Sequence, residues 1–490
     1  MRKQKPIKKF VDLAKEKKKQ ILLSFSVYFV ALCSIGIVNY PYIDDTVRRL
    51  NGRPNFGLHY SRWGSEFFSW LFQGTRHLTD QGLMPFILSA LILTATSFII
   101  QSALLGEKIN YLSSLASVIV GLNPWFLNAV AFRFDGPLIS LSLLSAVVPF
   151  IWWKDKTRFG IISVCAVFLM YNFYQASSGV FFLVAFGLLF LELLRGRSLN
   201  KVLRRLLLLI VSFMAATFFY LIQLIFLPAT AGKNTEIMRG WIVDDIFTNL
   251  TSYIQTVLSD STKLWKFLII VLLILFVFSM RRQSRVSQIK TFGLCGIFLL
   301  ISLLASFGIY SFLESPISTE APRYNYGFGV WLAILCVLVS SDLALKTFSA
   351  VKAAVVIFFT YQIVLFVFVF SSMLQLQKDT FISQSNLLRS NLMTVYLSND
   401  SVYLKNGFFR DSEVLLSAGK NYPILRKIVP SNAPSYFPNK FWFKEVTNIS
   451  IEKENDKETL ALTDNPKNLA VSNDSWDIYK SGKKIIVVTK

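Results

Sequence analysis

The feature that most constrains this chain is a series of apolar runs set nearly end to end between residues 21 and 372. They fall at about 21–39, 83–105, 111–129, 134–153, 160–174, 177–194, 205–228, 266–280, 291–313, 323–341 and 350–372. A helix crossing the hydrocarbon core needs about 20 predominantly apolar residues, so the series predicts about eleven crossings, the fifth and eighth being short for a span. Within a bilayer each backbone polar group must find its partner inside the segment, which makes such runs helical. The expected fold class is an all-α polytopic membrane bundle. At 53% hydrophobic and 16% charged residues over 490 positions, a soluble fold is excluded.

The connections orient the bundle. Lys154, Lys156 and Arg158 fill one junction, and Arg195, Arg197, Lys201, Arg204 and Arg205 another. Arg281, Arg282, Arg285 and Lys290 fill a third, and Lys346 and Lys352 a fourth. Short basic junctions with almost no acid mark the cytoplasmic side, and counting along the runs puts the N-terminus there too. Residues 1–20 carry Arg2, Lys3, Lys5, Lys8, Lys9, Lys15, Lys17, Lys18 and Lys19, with Ile7, Phe10, Val11 and Ala14 at helical spacing. They read as a basic amphipathic tail on an anionic inner leaflet. Val38-Asn39-Tyr40 offers no small-residue cleavage site, so the tail is not taken for a signal peptide. The net charge of +22 is therefore a topology signal. Without a basic stripe or a nucleic-acid motif, no nucleic-acid partner is expected.

This orientation divides the chain into a cytoplasmic tail (1–20), a membrane domain (21–372) and a polar extracytoplasmic domain (373–490). The last holds strand-like pieces at Ser401–Leu404 and Lys484–Thr489 and a turn cluster at Pro430 to Pro434, which suit a small α/β domain. It carries no catalytic motif and is expected to position an acceptor or to cap the bundle.

Four segments face outward. The first loop, 40–82, opens on Asp44 and Asp45, followed by Arg48, Arg49, Arg53, Arg62 and Glu66. Phe56, Tyr60, Trp63, Phe67 and Trp70 predict one helix lying in the interface. Paired carboxylates beside arginines at the mouth of a bundle suit a base for a hydroxyl and a seat for a phosphate; charges that merely anchor the helix end are the plainer alternative. The second segment, Asn123-Pro124 to Phe134, brings Arg133 and Asp135 to the start of the fourth run, as functional groups or as a self-neutralising pair. The third, 229–265, repeats apolar residues from Trp241 to Leu258 at helical spacing and predicts a second interfacial helix. Its acids Asp244 and Asp245 suit the helix dipole. The fourth, Glu314 to Tyr324, places Arg323 and Tyr324 after Pro322, whose place in a first helical turn leaves backbone donors free for an anion.

Cys33, Cys165, Cys295 and Cys336 all lie in apolar runs and imply no disulfide framework. Two histidines, His59 and His77, and no cluster with metal-ligand spacing argue against a metal centre, although Asp44 and Asp45 leave a divalent ion open. There is no phosphate-binding glycine loop, so no nucleotide-driven step is expected.

Together the loops resemble the serotype-converting glucosyl transferase (Gtr) family of polytopic enzymes. The resemblance rests on Ile43-Asp44-Asp45 with Arg48, on Ser61-Arg62-Trp63-Gly64, on Asn123-Pro124 through Phe132-Arg133-Phe134-Asp135, and on Tyr171 to Tyr174-Gln175. It covers about the first 340 residues and leaves out the C-terminal domain. The loop has Arg62-Trp63-Gly64 where a Gly-Arg-Pro type of step is expected. The resemblance implies a GT-C-like architecture in a bacterial plasma membrane. It also implies a sugar donor on a polyprenyl phosphate, an acceptor hydroxyl on surface polysaccharide, and inversion by an aspartate base without a cofactor. Asp44 or Asp45 would be the base, with Asp44, nearer the span, favoured. Arg48, Arg49, Arg62, Glu66, Arg133, Asp135, Tyr174, Gln175, Arg323 and Tyr324 would bind donor phosphate and substrate. A lipid-linked glycan flippase and a polysaccharide polymerase or ligase are the rival readings. The first would place ionisable groups near the midplane and in two repeated halves, and neither is visible.

Overall fold

A computed structural model describes residues 6–230, 242–341, 346–452 and 462–490. Arg2, Lys3 and Lys5 of the basic tail and Trp241 of the third loop lie outside the described residues.

The apolar runs become helices. The tail forms α1 (Pro6–Glu16) and leads into α2 (Lys18–Val38). The first loop folds as α3 (Asp45–Asn51), α4 (Phe56–Tyr60) and α5 (Trp63–Gln73) before α6 (Met84–Leu104). Then come α7 (Tyr111–Ser117), α8 (Ile119–Leu122) and α9 (Pro124–Val130). The longer α10 (Gly136–Val147), α11 (Lys156–Phe173), α12 (Ser178–Leu194) and α13 (Leu199–Phe226) follow. The set ends with α14 (Ile242–Asp260), α15 (Lys263–Gln283), α16 (Gln288–Ala305), α17 (Tyr326–Val339) and α18 (Lys346–Leu392).

Seven of the described helices are long and apolar enough to cross a membrane, or eight if a bent pair is one span, which marks a membrane protein. The apolar helices α10 and α17 are shorter. All 14 residues of α17 are buried, so this helix, apolar on every side, forms an axis that other helices enclose. By contrast α13 and α16 are only 28% and 22% buried, as expected at a lipid-facing rim.

The bent pair lies at Asn123-Pro124, where the chain turns by 57°. Pro124 lacks an N–H and takes the first position of α9. Asn123 satisfies both sides of the break: its Oδ1 accepts from Phe126 N at 3.0 Å, and its Nδ2 donates to Val120 O at 3.0 Å. A Cβ on Gly329 of α17 would stand 2.1 Å from Asn123 Cγ, so only glycine lets the axis helix pass this corner. The corner aims Asn128 and Arg133 at the first loop.

The single interfacial helix expected in that loop is instead two. Ser61, at φ 53°, breaks it between α4 and α5. The break is held by contacts to the end of α13: Ser61 Oγ donates to Leu227 O at 2.9 Å, and Gln223 Nε2 donates to Ser61 O at 3.1 Å.

Helix α18 is 47 residues long and continues through residue 372 to Leu392, roughly 70 Å at 1.5 Å per residue. It carries the C-terminal domain of α19 (Glu413–Asn421), α20 (Leu425–Ile428), α21 (Phe437–Thr447) and a four-stranded sheet. The sheet order is β1 (Ser401–Lys405), β4 (Lys484–Thr489), β3 (Trp476–Ser481) and β2 (Leu469–Ser472). Strand β1 runs parallel to β4, and the other pairs are antiparallel. Both strand-like pieces seen in the sequence are present, and β2 and β3 were not anticipated.

Candidate active site

The first loop is pinned to the bundle by its tyrosines. Tyr42 is 1% exposed and meets the Phe132 ring edge-on at 4.7 Å. Its hydroxyl accepts from Asn128 Nδ2 at 2.6 Å and donates to the Ile428 carbonyl of the C-terminal domain. That anchor sets Asp44 and Asp45 at the start of α3, beside the 131–135 turn.

The acid half of the site is built there. Asp45 is 2% exposed, and its Oδ2 accepts the backbone N–H of Arg133 at 2.9 Å. Its Oδ1 is buried without a hydrogen-bond partner. Burial pushes the Asp45 carboxyl up to about 6, Asp44 adds to the rise, and the Arg133 N–H and the charges of Arg48 and Arg133 oppose it. Asp44 is more open, with its side chain 33% exposed and 3.6 Å from Arg48. Arg48 also pairs with Asp135 and lies 4.5 Å over the Phe56 ring. Arg133 pairs with Asp80 and donates to Asn39 Oδ1. Thus Arg133 and Asp135, two residues apart, do not neutralise each other: each is paired across the loop.

The cation half also reaches Tyr42, whose hydroxyl feels the charge of Arg323 as well as that of Asp45. Helix α5 docks on the end of α11, where Ser65 Oγ donates to Phe173 O at 3.1 Å. A Cβ on Gly64 would stand 3.0 Å from Asn172 Cβ, which shows how closely the two backbones approach. This seat brings the Arg62 guanidinium 4.5 Å over the Tyr174 ring and 5.0 Å from that of Tyr60. Arg323 lies 5.3 Å over Phe132 and 5.1 Å over Tyr324, and its charge acts on the Tyr174 hydroxyl along with that of Arg62. Tyr310 meets Tyr324 edge-on at 5.6 Å, and Tyr174 stacks on Tyr326 at 6.4 Å. Arg62 Nε is buried and unpartnered, and the buried Tyr174 hydroxyl lies within reach of the Arg323 guanidinium. Among the described residues neither Arg62 nor Arg323 pairs with a carboxylate, whereas Arg48, Arg49 and Arg133 all do. Asn128 joins the halves: its Oδ1 accepts from Arg323 N at 3.1 Å while its amide holds Tyr42. One of the backbone donors expected to be free beside Pro322 is thereby used.

Three expected site residues have other partners. Glu66 folds back, and its Oε2 accepts from Phe56 N at 2.7 Å and Gly57 N at 3.1 Å, capping α4. Gln175 Nε2 donates to the Tyr220 hydroxyl at 2.8 Å. Arg49 reaches away from the acids to Glu445 of α21. The sequence reasoning missed Tyr42, Asn128, Asp80, Tyr310 and Tyr326; their separation along the chain leaves no local signal, and only the Asn-Pro corner hinted at Asn128.

The C-terminal domain walls the same site. Trp442 meets Tyr40 edge-on at 5.2 Å, and Lys427 Nζ lies 2.5 Å from Asp260 Oδ1. Asp260 is fully buried at the end of α14, and its other oxygen accepts Trp125 Nε1 at 3.0 Å. Tyr436, before α21, feels the negative charge of Asp44, and burial with Asp411 pushes its phenol up to about 12. Among the described residues no group of three or more His, Cys, Asp or Glu is placed to hold a metal ion.

What such an arrangement can do is specific: a buried carboxylate with one free oxygen and a raised proton affinity can take a proton. Two unneutralised guanidiniums among aromatic rings can hold a polyanion. The family model described as glucosyl transferase GtrII matches residues 33–334, more than half of the chain and every candidate site residue from Asp44 to Tyr324. No curated protein matches the chain.

Proposed function

The chain belongs to the glucosyl transferase GtrII family, and from that membership we propose an inverting transfer of a glucosyl or similar hexose unit. The donor is a polyprenyl-phosphate sugar and the acceptor a hydroxyl of cell-surface polysaccharide. The reaction runs at the outer face of a bacterial plasma membrane. The observation that carries this reading is a buried acid, Asp45, linked through Tyr42 and Asn128 to Arg323, with Arg323 and Arg62 both free of a carboxylate partner among the described residues.

In the proposed step the acceptor oxygen attacks the anomeric carbon, its proton passes to Asp45 Oδ1, and the bond from the anomeric carbon to the phosphate oxygen breaks. The lipid phosphate leaves with the electron pair and a growing negative charge, which Arg62 and Arg323 stabilise. A phosphate is already a good leaving group, so the base carries the larger demand, and a positioned base contributes roughly 10²–10⁴-fold. The geometry favours Asp45 as base over Asp44. A proton affinity near neutrality suits base work, and the free Oδ1 supplies the lone pair. Asp44, adjacent and more exposed, orients Arg48 instead. The C-terminal domain forms the acceptor wall, where Tyr436 feels the charge of Asp44.

The test is transfer from radiolabelled polyprenyl-phosphate glucose, with a nucleotide-linked glucose as the comparison donor, by the purified full chain onto isolated surface polysaccharide. Labelled polysaccharide from the lipid donor alone is expected. Equal transfer from the nucleotide sugar would discard the donor assignment.

A further inference from the structure

A groove of about 530 Å³ opens between α1, α2 and α6, at the opposite end of α2 from the aspartates. Its walls are apolar, with Phe10, Phe25, Leu91 and Phe98 among them. Phe10 packs on Phe98 at 5.3 Å, so α1 is laid against α6 and closes one side. The hydroxyl of Thr94 in the wall already donates to Ala90 O at 2.7 Å, so the groove presents no unmet donor there. Helix α2 has 21 residues, about 30 Å at 1.5 Å per residue, which sets the Lys18 end of the groove roughly a hydrocarbon thickness from the end of α2 that leads to Asp45. The donor's reacting head group is therefore not its occupant.

Lys18 lines the groove and is exposed. Neighbouring cations are partly spent: Lys17 lies 2.8 Å from Glu16, and Lys9 lies 3.6 Å from Glu107. Lys18 has no carboxylate partner among the described residues, and Lys15 and Lys19 on either side are exposed too. An apolar slot ending at an unneutralised ammonium group fits an anionic amphiphile.

We propose that this groove seats one acyl chain of an anionic phospholipid, whose phosphate is held at Lys18. The lipid fastens the basic helix α1 to the bundle at the membrane face opposite the chemistry. The site is independent of the transfer reaction.

The experiment uses the full chain in neutral detergent, titrated with phosphatidylglycerol, with phosphatidylcholine of the same acyl chains, or with inorganic phosphate. Binding is read by native mass spectrometry and thermal shift. Phosphatidylglycerol is expected to bind about fivefold tighter than phosphatidylcholine, the worth of one lysine at a lipid surface. Inorganic phosphate should give no shift. Lys18→Gln should equalise the two lipids, and Ala95→Phe, which fills the groove, should weaken both. Equal affinity for both lipids in the unmodified chain would overturn the proposal, as would a preference that survives Lys18→Gln. A thermal shift with inorganic phosphate together with full lipid binding by Ala95→Phe would reduce the site to a surface charge, and that also overturns it.

Discussion

Asp45 and Arg133 are joined by a backbone hydrogen bond and not by a direct ion pair. The Arg133 N–H donates to Asp45 Oδ2 at 2.9 Å while its guanidinium turns to Asp80 and Asn39. A direct ion pair would have pulled the carboxyl's proton affinity down. With the cation occupied elsewhere, burial prevails and Asp45 titrates near 6.

Asp45→Asn should therefore lower sugar transfer by roughly 10²–10⁴-fold, the worth of a positioned base. Asp44→Asn should cost less than about tenfold, the loss of one orienting contact to Arg48. Both variants are to be compared at equal protein content in the membrane. A greater loss in Asp44→Asn would exchange the two roles.

The pH dependence follows from the same carboxyl. Its base form is depleted below about 6, so kcat/KM should fall about tenfold per pH unit there and level off above. For stability the sign is reversed. A raised carboxyl favours the folded state while neutral, and that advantage disappears as pH rises from about 4 to about 6, on the order of 3 kcal/mol. Asp45→Asn should thus melt higher than the unmodified protein at pH 7 while being nearly inactive. Melting curves at pH 5 and pH 7, set beside the rate profile, check both halves.

Arg62→Ala and Arg323→Ala should each lower kcat/KM for the donor by about 10–100-fold, the worth of a charge-assisted hydrogen bond. Arg62→Lys should recover only part of this, because an ammonium keeps the charge but loses the planar stacking on Tyr174. Donor titrations across the three variants would detach these arginines from the phosphate if kcat/KM stayed put.

Lys427→Ala leaves Asp260 fully buried with Trp125 as its remaining side-chain partner, and should lower stability by about 2 kcal/mol, less than a wholly buried pair because Lys427 is partly exposed. Adding Asp260→Asn should restore most of it. Thermal unfolding of the double variant no better than that of Lys427→Ala would disprove the coupling.

The membrane class of the chain was legible because apolar runs and basic junctions are local properties. Asp44, Asp45, Arg62 and Arg323 were legible for the same reason: charge beside an apolar run is conspicuous. What could not be read was the pairing. Arg133 and Asp135 look like partners two residues apart, yet each finds its counter-charge some 50 to 90 residues away, in Asp80 and Arg48. The order of the two aspartates was hidden for a similar reason. Proximity to the span favoured Asp44, while burial, which only the packed loop reveals, separates it from Asp45. Strand β4 was legible but its partner β3 was not, because Lys480 interrupts the alternation begun by Trp476 and Ile478.

The unbroken course of α18 out of the bundle has a practical corollary. A helix of that length is a stiff mast, and what it holds up is not an ornament: the Ile428 carbonyl and Glu445 reach back to the very loop that bears the acids. Trimming the chain to the stretch shared with the family would strip Tyr42 and Arg49 of these two partners and leave the acid-bearing loop held from one side only.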